Sequence, residues 1–157
     1  MAKTKATTKT TPFTEKRGHF SVSEFCITGK EPEQDIFDAI VRFHIEPMNG
    51  VRELLGAPIS VSQNSGYRPK AYELSKKRPG TSQHTFEQIH PKGRGAVDYT
   101  AKDISKLQEL LISHSPYLRI CHYPHKDFIH CDYKGSGARR ELYQADANGK
   151  WNLVRFF

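Results

Sequence analysis

The chain has 157 residues, of which 36% are hydrophobic and 26% charged, a composition that suits one polar globular domain with a real core. No apolar run approaches the roughly 18 residues of a membrane-spanning helix. The three cysteines are odd in number and have no paired spacing, so we expect buried free thiols rather than a disulfide framework. The formal net charge of +7 favours polyanionic partners, such as nucleic acid or an acidic cell-wall polymer.

Residues 1–17 are rich in lysine and threonine and poor in apolar side chains. Such a composition cannot bury enough apolar surface to fold, so we predict a disordered basic tail there and a single domain over 18–157. The tail lacks the apolar stretch of a secretory signal, which predicts synthesis in a host cytoplasm and action at another place only after release. It also supports nucleic-acid binding as a weaker alternative.

Apolar residues at helical spacing predict a helical region over 31–56, which Pro47 is expected to kink or divide. The elements that follow are short. They are a strand over 58–64, a turn over 65–70, a helix over 70–77 and, after a long loop over 78–95, a strand over 96–100.

The C-terminal part begins with an amphipathic helix over 100–116, where Thr100 and Asp103 resemble a capping box. The segments 118–123 and 127–133 predict a β-hairpin, and 150–157 predicts a last strand. Strands and helices mix without regular βαβ alternation. We therefore predict an α+β fold in which a small antiparallel sheet is flanked by helices.

Three side chains with metal-binding chemistry fall in separate segments. His84 lies in the long loop, whereas Asp98 and His130 lie in apolar, strand-like contexts where an unpaired polar group would be costly to bury. Hydrolytic zinc sites typically take three nitrogen or oxygen ligands from the protein and leave one position for water. From the residues alone, a metal site and a set of separately satisfied polar side chains both remain open.

A carboxylate near such a site would be needed as a proton acceptor, and Asp127 precedes His130 by three residues. On a regular strand these two residues would point to opposite faces, so we expect Asp127 to lie in the turn. Asp132 shares a strand face with His130 and is expected either to orient that imidazole or to make a local charge pair.

Four short motifs carry a family resemblance. They are SGYRP (65–69), SQH (82–84), GRGAVD (93–98) and DFIH (127–130), preceded by HFSVSEF (19–25). In this order, over about residues 19–135, they resemble the zinc D-Ala-D-Ala peptidases, the carboxypeptidases and endopeptidases of peptidoglycan that share a hedgehog-like fold. The resemblance implies Zn²⁺ held by His84, Asp98 and His130, with Asp127 as general base. It implies further that Arg68 binds substrate and stabilises the oxyanion, and that Tyr67 and Ser82 contribute to substrate binding.

The function implied by the resemblance is hydrolysis of peptide bonds in bacterial peptidoglycan, by a D-Ala-D-Ala carboxypeptidase or by an endopeptidase of stem or cross-link peptides. A small basic enzyme without a secretory signal suits a bacteriophage lysis protein or a virion-associated protein that works as a monomer without a membrane span. The alternative is a non-catalytic, zinc-containing module of the same fold that binds the cell wall.

The chain departs from the family pattern in one place. Thirteen residues separate His84 from Asp98, a longer run than the family usually has, and residues 85–92 look inserted. The insertion carries His90, which is the rival for the first ligand position.

Overall fold

The computed structural model describes residues 11–62, 65–86, 93–135 and 139–157. Helices and one six-stranded sheet are interspersed along these residues, so the predicted α+β class is confirmed. The helices are α1 (Gln34–Ile40), α2 (Glu46–Leu55), α3 (Lys70–Ser75) and α4 (Ile104–His114), and the strands are β1 (Ile59–Val61), β2 (Ala96–Ala101), β3 (Arg119–Tyr123), β4 (Phe128–Asp132), β5 (Glu141–Ala145) and β6 (Trp151–Phe156).

The sheet has the order β1-β2-β4-β3-β5-β6 and is mixed rather than antiparallel. The prediction of an antiparallel sheet is wrong for one pair, because β5, which the sequence did not predict, runs parallel to β3. The hairpin strand β4 ends beside the first residue of β3, since Asp132 pairs with Arg119. The strand β5 pairs with the other side of β3 and runs in the same direction as β3.

The helical region before the sheet is divided as predicted. A π-helical turn, Val41–Ile45, separates α1 from α2, and Pro47 lies in the first turn of α2. Proline has no backbone N–H to offer the carbonyl of Phe43, four residues earlier. That carbonyl instead accepts a hydrogen bond of 2.5 Å from the Tyr133 hydroxyl, which ties the irregular turn to the end of β4.

The cap of α4 differs from the prediction. Thr100 belongs to β2, which continues to Ala101, and its hydroxyl donates to the Asp127 carbonyl at 2.9 Å. Asp103 is the N-cap residue, and its carboxylate accepts from the Lys106 N–H at 3.0 Å. The capping box centred on Thr100 is therefore wrong, because β2 extends further than its apolar residues indicate.

The hydrophobic core lies between the helices and one face of the sheet. Alternate residues of the central strands, among them Val97, Tyr99 and Ile129, point into it and meet Leu107 and Leu111 of α4. The opposite face of the same strands therefore presents Asp98 and His130. All three cysteines are buried and free, as predicted.

Part of the predicted tail lies within the described residues. Phe13 packs against the core, its carbonyl accepts from the Ser23 N–H at 2.9 Å, and Arg17 forms a β-bridge with Phe20. An aromatic ring in a lysine- and threonine-rich stretch supplies the contact that the overall composition did not predict. Residues 1–10 lie outside the described part of the chain. Among the described helices, none is long and apolar enough to cross a membrane.

Candidate metal centre

The three predicted ligands meet on the face of the sheet opposite the core. Asp98 of β2 and His130 of β4 are directly paired in the antiparallel register, so their side chains project from the same face. His84 approaches them from a short 3₁₀ turn, Gln83–Thr85. One ligand atom from each residue lies within 4.8 Å of the other two, and all three residues are buried.

The orientation of His84 is set by a backbone carbonyl. Its Nδ1 lies 3.0 Å from the carbonyl oxygen of Gly66, and its Nε2 lies 3.4 Å from Asp98 Oδ1. A carbonyl oxygen only accepts hydrogen bonds, so Nδ1 carries a proton and Nε2 is the nitrogen that faces Asp98. Metal-binding histidines commonly donate the N–H of the ring nitrogen that does not bind the metal to a backbone carbonyl in this way.

The orientation of His130 is set by a charged pair. Its Nε2 lies 2.8 Å from Asp132 Oδ2, and its Nδ1 lies 2.8 Å from Asp98 Oδ1. Asp132 in turn accepts two hydrogen bonds from the Arg119 guanidinium, at 2.9 and 2.5 Å. The chain Arg119–Asp132–His130 therefore directs Nδ1 of the imidazole toward Asp98. Of the two roles expected for Asp132, the structure shows both at once.

The pKa values of Asp98 and His130 are shifted by the charges and hydrogen bonds that surround them. Burial alone would raise the pKa of the Asp98 carboxyl, but the charges of and hydrogen bonds from His84 and His130 hold it well below its usual range. Burial would lower the pKa of His130, yet its hydrogen bonds to Asp132 and Asp98 raise it to about 9. The carboxylate thus attracts positive charge into the space that the three side chains enclose.

The donor set suits a metal ion. Two imidazole nitrogens and one carboxylate oxygen are ligands that zinc accepts in tetrahedral sites, where bonds of about 2.0–2.1 Å place neighbouring ligand atoms about 3.3 Å apart. The His84–Asp98 separation of 3.4 Å is already close to that spacing. The cluster could therefore bind a metal ion without a change of fold.

A cavity of about 430 Å³ opens over the cluster. Besides the three candidate metal ligands, the described residues of its wall are mainly cationic or aromatic, and three others carry a hydroxyl or an amide. The cationic residues are Arg68, Arg119, Lys126 and Lys134, the aromatic ones are Tyr123, Phe128 and Trp151, and the others are Thr81, Ser82 and Gln83.

Arg68 and Ser82, two residues expected to bind substrate, both line the cavity. Arg68 Nη2 is 3.4 Å from Ser82 Oγ, and the Arg68 N–H donates to the His84 carbonyl at 2.9 Å. Ser82 Oγ also accepts from the His84 N–H at 3.2 Å, which caps the turn that carries this ligand. Tyr67 is placed differently: its ring packs against Phe86, 5.7 Å between centroids, and is not among the described residues that line the cavity.

Asp127 lies in the turn between β3 and β4, as predicted. Its backbone is left-handed, with φ of 52°, and its side chain is exposed. It belongs neither to the ligand cluster nor to the described residues that line the cavity, although its neighbours Lys126 and Phe128 do line it. His90, the rival ligand, lies outside the described residues.

Two residues of the site were not predicted from the sequence. Arg119 holds Asp132, and Trp151 of β6 lies 5.1 Å from the His130 ring and 4.8 Å from the Arg119 guanidinium carbon. The Trp151 indole N–H donates to the Tyr123 hydroxyl at 2.5 Å. A lone tryptophan on the last strand was the available signal, but nothing in its neighbourhood linked that strand to the histidines.

No family model matches the chain, and no curated protein or solved structure is significantly similar to it. The likeness to the zinc peptidases thus depends on the sequence motifs.

Proposed function

We propose that this protein is a zinc-dependent peptidase that hydrolyses peptide bonds of bacterial peptidoglycan, as a D-Ala-D-Ala carboxypeptidase or as an endopeptidase of stem or cross-link peptides. The supporting observation is the convergence of His84, Asp98 and His130 from three distant segments at one cavity. The motifs that contain these residues follow the order of that peptidase family. A role in bacteriophage lysis or in the virion is proposed with it and depends on family analogy.

The residues divide the chemistry among them. His84, Asp98 and His130 would hold zinc, which when bound lowers the pKa of a water ligand to about 7 and polarises a carbonyl oxygen. The Arg68 guanidinium would donate hydrogen bonds to the negative charge that develops on that oxygen. Asp127 would accept the proton from the attacking water and pass it to the leaving amine. For this, its carboxylate must turn from the exposed loop toward the cavity that Lys126 and Phe128 already line.

The charge of the cavity supports an anionic substrate. Lys126 and Lys134 are exposed at its rim, and no carboxylate of the described residues forms an ion pair with either. Stem peptides of peptidoglycan carry free carboxylates, which two such ammonium groups would attract. The net charge of +7 acts in the same direction over a longer range.

The test is digestion of purified peptidoglycan by the purified protein with zinc, with a chelator, and with zinc restored after chelation. We expect release of free amino groups or D-Ala that the chelator stops and zinc restores, and the masses of the fragments identify the bond. Asp98→Asn is the control, because it removes the carboxylate ligand while keeping the size of the side chain. Absence of any chelator-sensitive release would overturn the peptidase proposal.

A second candidate function is a non-catalytic module that binds the cell wall. It is favoured by the exposed position of Asp127, since Asp98 is the sole carboxylate among the described residues that line the cavity. Zinc-dependent co-sedimentation with peptidoglycan, without release of fragments, would identify this function.

A further inference from the structure

Glu73 carries a fully buried carboxylate that the proposed chemistry does not use. Glu73 lies in α3 with 0% of its surface exposed, between two guanidinium groups. Its Oε1 is 2.7 Å from Arg68 Nε, and its Oε2 is 2.9 Å from Arg78 Nη1. An isolated carboxylate would be very costly to bury, so this double pairing is what stabilises it there.

The two arginines have different surroundings. The Arg68 side chain is 16% exposed and lines the cavity over the metal centre, whereas the Arg78 side chain is 50% exposed and does not line it. The helix α3 begins two residues after Arg68, with Pro69 as its N-cap, so Glu73 follows Arg68 by little more than one turn. Helical side chains lean toward the N-terminus of their helix, which brings the Glu73 carboxylate back to Arg68.

We infer that Glu73 is the positioning residue for Arg68: it holds the guanidinium in a fixed orientation at the cavity wall, ready for negative charge on a substrate. The contact between Arg68 Nη2 and Ser82 Oγ, at 3.4 Å, is long for a hydrogen bond. Arg68 Nε and Glu73 Oε1 are 2.7 Å apart and attract each other as opposite charges, although the N–H is not aligned as a hydrogen bond requires, so this ion pair is the stronger of the two constraints. A donor that is oriented before the reaction needs no rearrangement when charge develops. The benefit to a substrate depends on the proposed function, whereas the fixed orientation does not.

The first test is kinetic and uses a matched pair of variants. Glu73→Gln removes the charge that orients Arg68, and Arg78→Gln removes the other partner of Glu73 while leaving the Arg68 pair intact. With saturating zinc, we expect Glu73→Gln to lower kcat about tenfold, as a misplaced catalytic group does, and Arg78→Gln to stay within about twofold of the wild type. Adding Glu73→Gln to Arg68→Ala should cause no further loss, because the two residues act as one unit. Equal losses in the two single variants, or additive losses in the double variant, would overturn the inference, because Glu73 would then not act through Arg68.

The second test is independent of peptidase activity. The Nε–Hε group of Arg68, assigned by ¹⁵N NMR, should show the heteronuclear NOE of a rigid group in the wild type and in Arg78→Gln, and that of a mobile group in Glu73→Gln. Arg68 that stays rigid in Glu73→Gln overturns the inference. If the wild type has no peptidase activity, the proposed function fails while this measurement still decides the role of Glu73. Should Glu73→Gln not fold, Glu73→Asp, which keeps the charge but shortens the reach, carries the same expectation.

Discussion

Two of the candidate metal ligands are held by the sheet, and the third is held by a loop. Asp98 and His130 face each other across neighbouring central strands, so the backbone ladder fixes their separation. His84 lies on a single 3₁₀ turn, between the Ser82 cap and Phe86, whose backbone is left-handed with φ of 58°. The relative position of Asp98 and His130 therefore follows directly from the pairing of their strands, whereas the position of His84 depends on a few local contacts.

The contacts around the His84 turn come from residues with little freedom. A Cβ at Gly66 would overlap the Phe25 carbonyl, and a Cβ at Gly95 would overlap the Phe86 ring. On the other side of the loop, His44 Nε2 lies 2.6 Å from the Arg94 carbonyl. We conclude that changes in the turn that spare these packed contacts, such as loss of the Ser82 cap, should weaken metal binding with little loss of stability, while changes beside Asp98 and His130 should affect both.

The largest effect is expected at the hairpin turn that precedes His130. Asp127→Ala should retain zinc but lose turnover by roughly a hundredfold to ten-thousandfold, the range for loss of a general base. Asp98→Asn should lose zinc and turnover together. Metal content by mass spectrometry, measured beside peptidoglycan digestion, separates the two variants. Normal activity of Asp127→Ala would refute its assignment as the base.

A large effect of pH is expected at His44, which lies in the π-helical turn and reaches the Arg94 carbonyl beyond the loop. Burial lowers the pKa of this fully buried imidazole to about 4, although its hydrogen bond to the Arg94 carbonyl acts in the opposite direction. As the pH falls from about 6.5 to about 4, the unfolded chain binds a proton that the folded protein does not, so stability decreases by about 3 kcal/mol across this window. Urea unfolding at several pH values checks this. His44→Gln should lack that part of the pH dependence, and parallel curves for the two proteins would contradict the assignment.

Two variants at residues that contact His130 or His84 compare the two kinds of ligand directly. Asp132→Asn should lower zinc affinity about 10- to 100-fold, because it weakens the contact that orients His130, and should lower the melting temperature, because Arg119 loses its charged partner. Ser82→Ala should lower zinc affinity about fivefold, which corresponds to the loss of a cap worth about 1 kcal/mol, with little change in melting temperature. Competition with a chromophoric chelator measures the affinities. Equal destabilisation by both variants would remove the distinction between sheet and loop ligands.

The smallest effect is expected at the cavity rim. Lys126→Ala and Lys134→Ala should each weaken binding of soluble peptidoglycan fragments about twofold to fivefold at low salt, and the difference should vanish as salt screens the exposed charges. Lys106→Ala is the control, because this exposed lysine lies on α4, away from the residues that line the cavity. A loss that does not depend on salt would point to contacts other than charge.

The sequence was sufficient for the parts of the site that depend on local pattern. Asp98 and His130 were predicted within strands, which β2 and β4 confirm, and the two-residue period of a strand explains why both lie on the face away from the core; whether they meet at one site was left open. The position of Asp127 in the turn followed from the same period. The role of Asp132 was left between two possibilities, because its partner Arg119 lies on another strand.

Pairings between distant segments could not be predicted in this way. Glu73 belongs to a short helix with no pattern that marks it as buried, and its two arginine partners become visible only in three dimensions. The strand β5 did have a local signal, since the turn between β5 and β6 runs from Asp146 to Gly149 and ends in Asn148-Gly149, residues that are common in hairpin connections. The parallel pairing of β5 with β3, however, depends on β4 ending beside the first residue of β3, which no local pattern predicts.

The two ends of the loop that follows His84 lie side by side. A Cβ at Gly93 would be only 2.7 Å from the Phe86 carbonyl oxygen, so residues 87–92 join two points of the chain that are neighbours in space. A short engineered linker could therefore replace them, or a longer cargo peptide could be grafted between them, at a small cost in closure entropy. Such an exchange would also delete His90, and a shortened protein that still takes up zinc would leave His84 as the first ligand.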